Sequence, residues 1–177
     1  MTDTRTKILD VAVHLTQTRG FNGFSYIDLS EKIGVKTSSI HYHFKSKADL
    51  GLALVERTRE EHIAGFRNLD TGLPIPEQRL SAMVEFFQGY VKEDKFCLCG
   101  MLSAELSSVS PAVKHSLKTY FRDLRTWIAT QFKEMGVQDH ENRALGFISA
   151  LEGAVLLARL EDDSSLVAEA MKHVMTR

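Results

Sequence analysis

Between Tyr26 and Lys47 the chain reads YIDLSEKIGVKTSSIHYHFKSK. Hydroxyls, imidazoles and a phenol gather in its second half. Ser38, Ser39, His41, Tyr42 and His43 carry no carboxylate among them, and such a set donates hydrogen bonds to phosphate oxygens and base edges. The apolar residues between them show how they are presented. Leu29 and Ile33 are four apart, as are Ile40 and Phe44, so each pair marks one face of a short helix. Gly34 falls between the pairs, where a left-handed residue ends the first helix, and Thr37 is a candidate N-cap for the second. Two short helices, a tight turn and a polar outer face make a helix-turn-helix, and the chemistry expected of it is DNA binding. Lys36 is the only cation near its reading face. His41 and His43 are not expected to hold a metal, because residues two apart on a helix point about 200° away from each other.

The rest of the composition narrows the setting. The chain has 177 residues and a formal net charge of −1, which does not suit a protein that coats nucleic acid generally. Charge is uneven, however. Residues 1–50 hold seven Lys or Arg against five acids, +2, leaving −3 for the remainder. Two cysteines form no disulfide framework, so a reducing cytoplasm is expected. The N-terminus lacks the layout of a signal peptide, and the apolar run from Ala144 to Ala158 is broken by Glu152 and too short to span a bilayer. No nucleophile is placed beside a base and no glycine-rich phosphate loop is present, so neither enzymatic activity nor a cofactor is expected.

Three prolines and almost no strand-like alternation predict an all-α chain. The first helix spans about Thr4–Thr18, with Gly20 as its stop and Phe21 and Phe24 as aromatic plugs in the following turn. Ser25 with Asp28, and again Ser46 with Asp49, form near-capping boxes that open the second and fourth helices. The fourth is expected to run to about Leu69, before a break over 70–76. Further helices are expected near 77–93, 98–107, 110–135, 139–160 and from about Asp163, nine in all. The eighth is apolar on nearly every face. Gly146, Ser149, Ala150, Gly153 and Ala154 are small enough to admit another helix closely, and with Leu166 and Ala170 of the last helix they form a candidate homodimer seam. Two copies also suit the DNA reading, since a twofold pair of helix-turn-helix units reads two half-sites about one DNA turn apart.

Gly20-Phe21, Ser25, Ile33-Gly34-Val35 and the run Ile40-His41-Tyr42-His43-Phe44-Lys45-Ser46-Lys47 resemble the TetR family of transcriptional regulators, with His41 at a position usually aromatic. The specific match covers about the first fifty residues; beyond them only the number and length of helices agree. The resemblance implies a three-helix DNA-binding domain over 1–47 and a helical effector-binding and dimerisation domain over 48–177. It implies that Thr37, Ser38, Ser39 and His41 face the major groove, and that Tyr26, Tyr42, His43 and Lys47 touch phosphates. The partners implied are double-stranded operator DNA, a second copy of the chain and a small effector, with no membrane. Repression relieved by the effector is the expected activity; the alternative is a helical small-molecule-binding module whose N-terminal unit does not bind DNA.

Such a body holds a pocket. The candidate lining is His62, Phe66, Phe86, Phe87, Tyr90, Met101, Tyr120, Leu124, Trp127, Phe147 and Glu152, and its scarcity of charge points to a mostly apolar effector. The stretch Phe96-Cys97-Leu98-Cys99-Gly100-Met101-Leu102 is similar to one found in a subgroup of the family. There a cysteine matching Cys97 senses electrophiles or oxidants, and Cys99 stands at a leucine. Cys97 and Cys99 are therefore candidate thiol sensors, provided that burial does not leave them inert.

Overall fold

The computed structural model describes residues 3–175. Among these the chain is all helical. It comprises α1 (Thr4–Arg19), a 3-10 turn (Phe21–Gly23), α2 (Tyr26–Ile33), α3 (Thr37–His43), α4 (Lys47–Gly72), α5 (Pro76–Lys92), α6 (Leu98–Ala104), α7 (Pro111–Glu134), α8 (His140–Leu160) and α9 (Ser165–Met175). Two compact units result. One gathers the residues up to Arg59 with Leu98–Tyr120; the other gathers Glu60–Cys97 with Phe121 onward. Helices α4 and α7 contribute to both. No helix among the described residues is long and apolar enough to cross a membrane.

The first unit is built on local signals. Ile8, Leu9, Ala12 and Leu15 of α1 are buried with Phe21, Phe24, Leu29, Ile40 and Phe44. The Ser25 hydroxyl accepts from the N–H groups of Ile27 and Asp28, and the Asp28 carboxylate accepts from the Ser25 N–H at 2.7 Å, which completes the capping box. Those bonds from Ser25 hold the Asp28 carboxyl below the usual carboxylate range. The Ser46–Asp49 pair repeats the arrangement before α4. Gly34 ends α2 in the left-handed conformation, with φ 76° and ψ 33°.

One capping expectation is corrected. Lys36, not Thr37, is the N-cap of α3, without a side-chain cap; Thr37 is already helical, and its hydroxyl points back toward that of Ser30 at 3.4 Å. The first half of α7 joins this unit through a close approach. A Cβ on Gly51 would lie 2.9 Å from the Phe21 ring and 3.4 Å from Val113, so only glycine lets α4 meet both.

In the second unit α8 packs along α9, and α5 packs against both. Leu80, Met83, Phe87, Leu124, Phe132, Phe147, Leu151, Val155 and Met171 form its core. Here α4 continues to Gly72, one turn past the expected end, because its last turn is tied down from a distance. The Asp70 carboxylate accepts from the Trp127 indole and from Gln131. The buried Arg79 donates to Gln131, Glu134 and the Leu73 carbonyl at 2.7–2.9 Å. Helix α6 stops at Ala104, earlier than expected, where residues 105–108 turn back and the Ser108 N–H bonds to the Glu105 carbonyl. On α8, Leu145, Leu156, Leu157 and Leu160 remain exposed, Leu160 by 76%.

Candidate functional site

Helix α3 presents its polar face as its spacing implied. Ile40 is fully buried and Phe44 nearly so, which turns the intervening residues outward. Lys36, Ser38, His41 and Tyr42 are exposed; Thr37, Ser39 and His43 are half-buried. Tyr42 is 84% exposed, with its ring edge-on to His43 at 5.2 Å. The His41 ring lies 4.8 Å from that of Tyr26, and its Nδ1 is 3.4 Å from the Lys45 carbonyl.

Tyr26 and Lys47, expected to reach outward to phosphates, behave differently. The Tyr26 hydroxyl lies 3.0 Å from the Phe44 carbonyl and 2.6 Å from the Ser46 carbonyl, to which it donates. Burial, with a smaller contribution from the Asp49 charge, pushes this phenol up to about 12, so it remains a donor. The Lys47 ammonium donates to the Phe24 carbonyl and sits over the rings of Phe24 and Phe21 at 4.6 and 5.0 Å. Burial lowers its pKa, opposed by Glu105 and Asp28. Tyr26 thus braces the backbone just past the C-terminal end of α3, and Lys47 braces the backbone just before α2.

The expected effector lining divides in two. His62, Phe66, Phe86, Phe87, Tyr90 and Trp127 come together in the second unit, ring against ring. His62 and Phe86 are 5.0 Å apart, Phe86 and Tyr90 5.1 Å, and Phe66 and Trp127 5.3 Å. Burial pushes the His62 imidazole down to about 4, so the ring is neutral near neutral pH. Its Nε2 lies 2.8 Å from the Tyr90 hydroxyl, which donates to it when the ring proton is on Nδ1. Phe86 is the exposed member, at 41%.

Beside Trp127 runs a groove of about 250 Å³, lined also by Ile63, Arg67, Asp70, Asp123, Thr126 and Thr130. Its lining is mixed, the apolar Ile63 and Trp127 standing beside charged and hydroxyl side chains. The remaining candidates lie elsewhere. Phe147 packs on Phe132 at 5.8 Å, and Leu124 is buried in the second unit. Met101 and Tyr120 belong to the first unit, where the Met101 methyl lies beside Gly20. Asp70, Arg79 and Gln131 were missed from the sequence. The spacing of Trp127, Gln131 and Glu134 on one face of α7 was the signal available.

Cys97 and Cys99 are thiols rather than halves of a disulfide, and both are fully buried. The Cys97 thiol is hydrogen-bonded to the Glu152 carboxyl, whose pKa burial raises against that bond. Among the dimer candidates, Gly146, Ser149, Gly153 and Ala170 are exposed, Ala150 and Leu166 half-buried, and Ala154 buried within the fold. Among the described residues no three His, Cys, Asp or Glu side chains are grouped as a metal site requires.

A family model for bacterial regulatory proteins of the TetR family matches residues 8–54, and one for the C-terminal domain of LmrA/YxaF-like transcriptional regulators matches residues 76–173. A TetR transcriptional regulator from Legionella pneumophila superposes with a TM-score of 0.93 at 28% identity, over 98% of this chain and 96% of that one. The transcriptional regulator AcuR of Cereibacter sphaeroides is 29% identical over 161 residues, 84% of this chain and 72% of AcuR. The transcriptional activator FasR of Mycolicibacterium smegmatis is 28% identical over 90 residues, 51% of this chain and 41% of FasR, so the match spans less than half of that protein. The chain therefore belongs to the TetR family and is a DNA-binding transcriptional regulator rather than an enzyme.

Proposed function

We propose that the protein is a homodimeric repressor that leaves a palindromic operator when a small, mostly apolar effector enters its second unit. The observation that carries this reading is the outer face of α8. Leu145, Leu156, Leu157 and Leu160 stand exposed among Gly146, Ser149 and Gly153. A second copy laid on that face buries the leucines and sets two α3 helices at a fixed spacing. Residues 1–47 then face DNA through Lys36, Thr37, Ser38, Ser39, His41, Tyr42 and His43. Tyr26 and Lys47 brace that surface, and the aromatic cluster receives the effector by exchanging ring–ring contacts for ring–ligand ones.

Sedimentation of the purified protein, together with a gel shift on the region upstream of its own gene, tests this. The expected results are a dimer and a specific shift that weakens as salt rises. A monomer, or a shift indifferent to sequence, overturns the reading. The relative FasR is an activator, so a reporter assay settles the sign: loss of the protein is expected to raise expression.

A second reading, electrophile sensing at Cys97, draws support from its bond to Glu152. As the sulfur adds to an electrophilic carbon, its proton passes to the carboxylate. Unchanged operator binding after treatment with N-ethylmaleimide would exclude it.

A further inference from the structure

The corner between α1 and α2 needs acceptors that its own residues do not supply. A helical turn begins with N–H groups that no earlier carbonyl reaches. The N-cap of the 3-10 turn is Gly20, which has no side chain to accept them. Glu105 fills that role from 84 residues along the chain: Oε1 accepts the Phe21 N–H at 3.1 Å and Oε2 accepts the Asn22 N–H at 3.0 Å. A second link runs beside the first. The Asn22 amide donates to the Ser108 hydroxyl at 2.7 Å, and that hydroxyl donates to the Glu105 carbonyl at 2.8 Å.

Gly20 makes the approach possible. Its φ is +83°, and a Cβ there would lie 2.6 Å from Glu105 Oε1. The Lys47 ammonium, over the rings of Phe21 and Phe24, feels the Glu105 charge as well. An anion therefore grips the amides of this corner and a cation grips its rings.

We propose that Glu105 is a positioning residue for DNA recognition, fixing through the Phe21 and Asn22 amides the angle at which α2, and with it α3, leaves α1. Each carboxylate oxygen holds a different amide, so the corner cannot swivel about a single bond. Displacement of the 105–108 turn is consequently felt at the base of the reading helices. The proposal rests on the reading of α3 as the helix that meets DNA.

The test uses the full-length protein and the duplex it selects from a randomised pool. Glu105→Gln keeps the side-chain length but turns an NH2 toward one of the two amides. It is expected to lower affinity for the selected duplex about tenfold. Binding to unrelated duplex and helical content are expected to stay unchanged, and amide exchange at Phe21 and Asn22 to accelerate. Faster exchange at both amides with full affinity overturns the proposal, as does equal exchange in the two proteins. It is also overturned if the lost affinity only follows the unfolded fraction in a melting curve. Should Glu105→Ala fail to fold, Glu105→Gln and Ser108→Ala are judged by the same readouts. If the unsubstituted protein selects no duplex, the reading of α3 fails, and amide exchange still decides whether Glu105 holds the corner.

Discussion

The two units differ in what their most connected polar side chains hold. In the first, side chains bind backbone: Ser25 and Asp28 cap α2, Tyr26 and Lys47 hold carbonyls, and Glu105 holds amides. In the second, side chains also bind one another, beside backbone bonds such as that of Arg79 to the Leu73 carbonyl. Arg79 meets Glu134 and Gln131, Trp127 meets Asp70, and His62 meets Tyr90 within a cluster of rings. Bonds to backbone fix the path of the chain, which a surface that must match DNA requires. Contacts between side chains can be exchanged for contacts to a guest without moving the chain much. Rigidity and adaptability are built here from the same residue types, according to what they bond.

Substitutions can break that contrast. The largest effect is expected from Phe66→Ala, which removes a buried ring from the cluster and lowers stability by about 4 kcal/mol. Thermal melting measures it, and the folded fraction should bind the operator as before. A matching loss of operator affinity would show that the units are not separable.

His62 comes next. The unfolded chain takes up its proton near the usual histidine value, whereas the folded chain does so only near about 4. Stability is therefore full above the upper value and declines as pH falls through that window, by up to about 3 kcal/mol. Denaturant titrations at several pH values should show the slope, and His62→Phe should flatten it. Tyr42→Ala is expected to lower operator affinity about tenfold while leaving the melting temperature unchanged, since its ring is exposed. The smallest effect is expected from Ser25→Ala, about 1 kcal/mol of stability, with a weaker operator shift as the end of α2 frays.

How much of this could be read in advance depended on the range of the interaction. The Ser25–Asp28 box, the left-handed Gly34 and the buried pair Ile40 and Phe44 are local patterns, and each appears where its spacing placed it. The end of α4 lies beyond its sequence signal because Asp70-Thr71-Gly72 reads as a turn by propensity. Trp127 and Gln131, far along the chain, hold Asp70 in the helix instead. The direction of Lys47 was not legible either: a lysine at a helix start suits a phosphate, and only the placement of Phe21 and Phe24 turns it inward. Glu105 gave no signal, since its partners are backbone amides that any residue carries.

The glycine at position 20 has a consequence for heredity. Every single-base change that removes a glycine either stops the chain or installs a residue with a Cβ. At this position the Cβ meets a carboxylate oxygen and a backbone angle that side chains rarely adopt. Glu105 can swing aside, but only by releasing the amides it holds. A genetic screen for loss of regulation should therefore return this codon repeatedly, although its residue lies outside both α3 and the ring cluster.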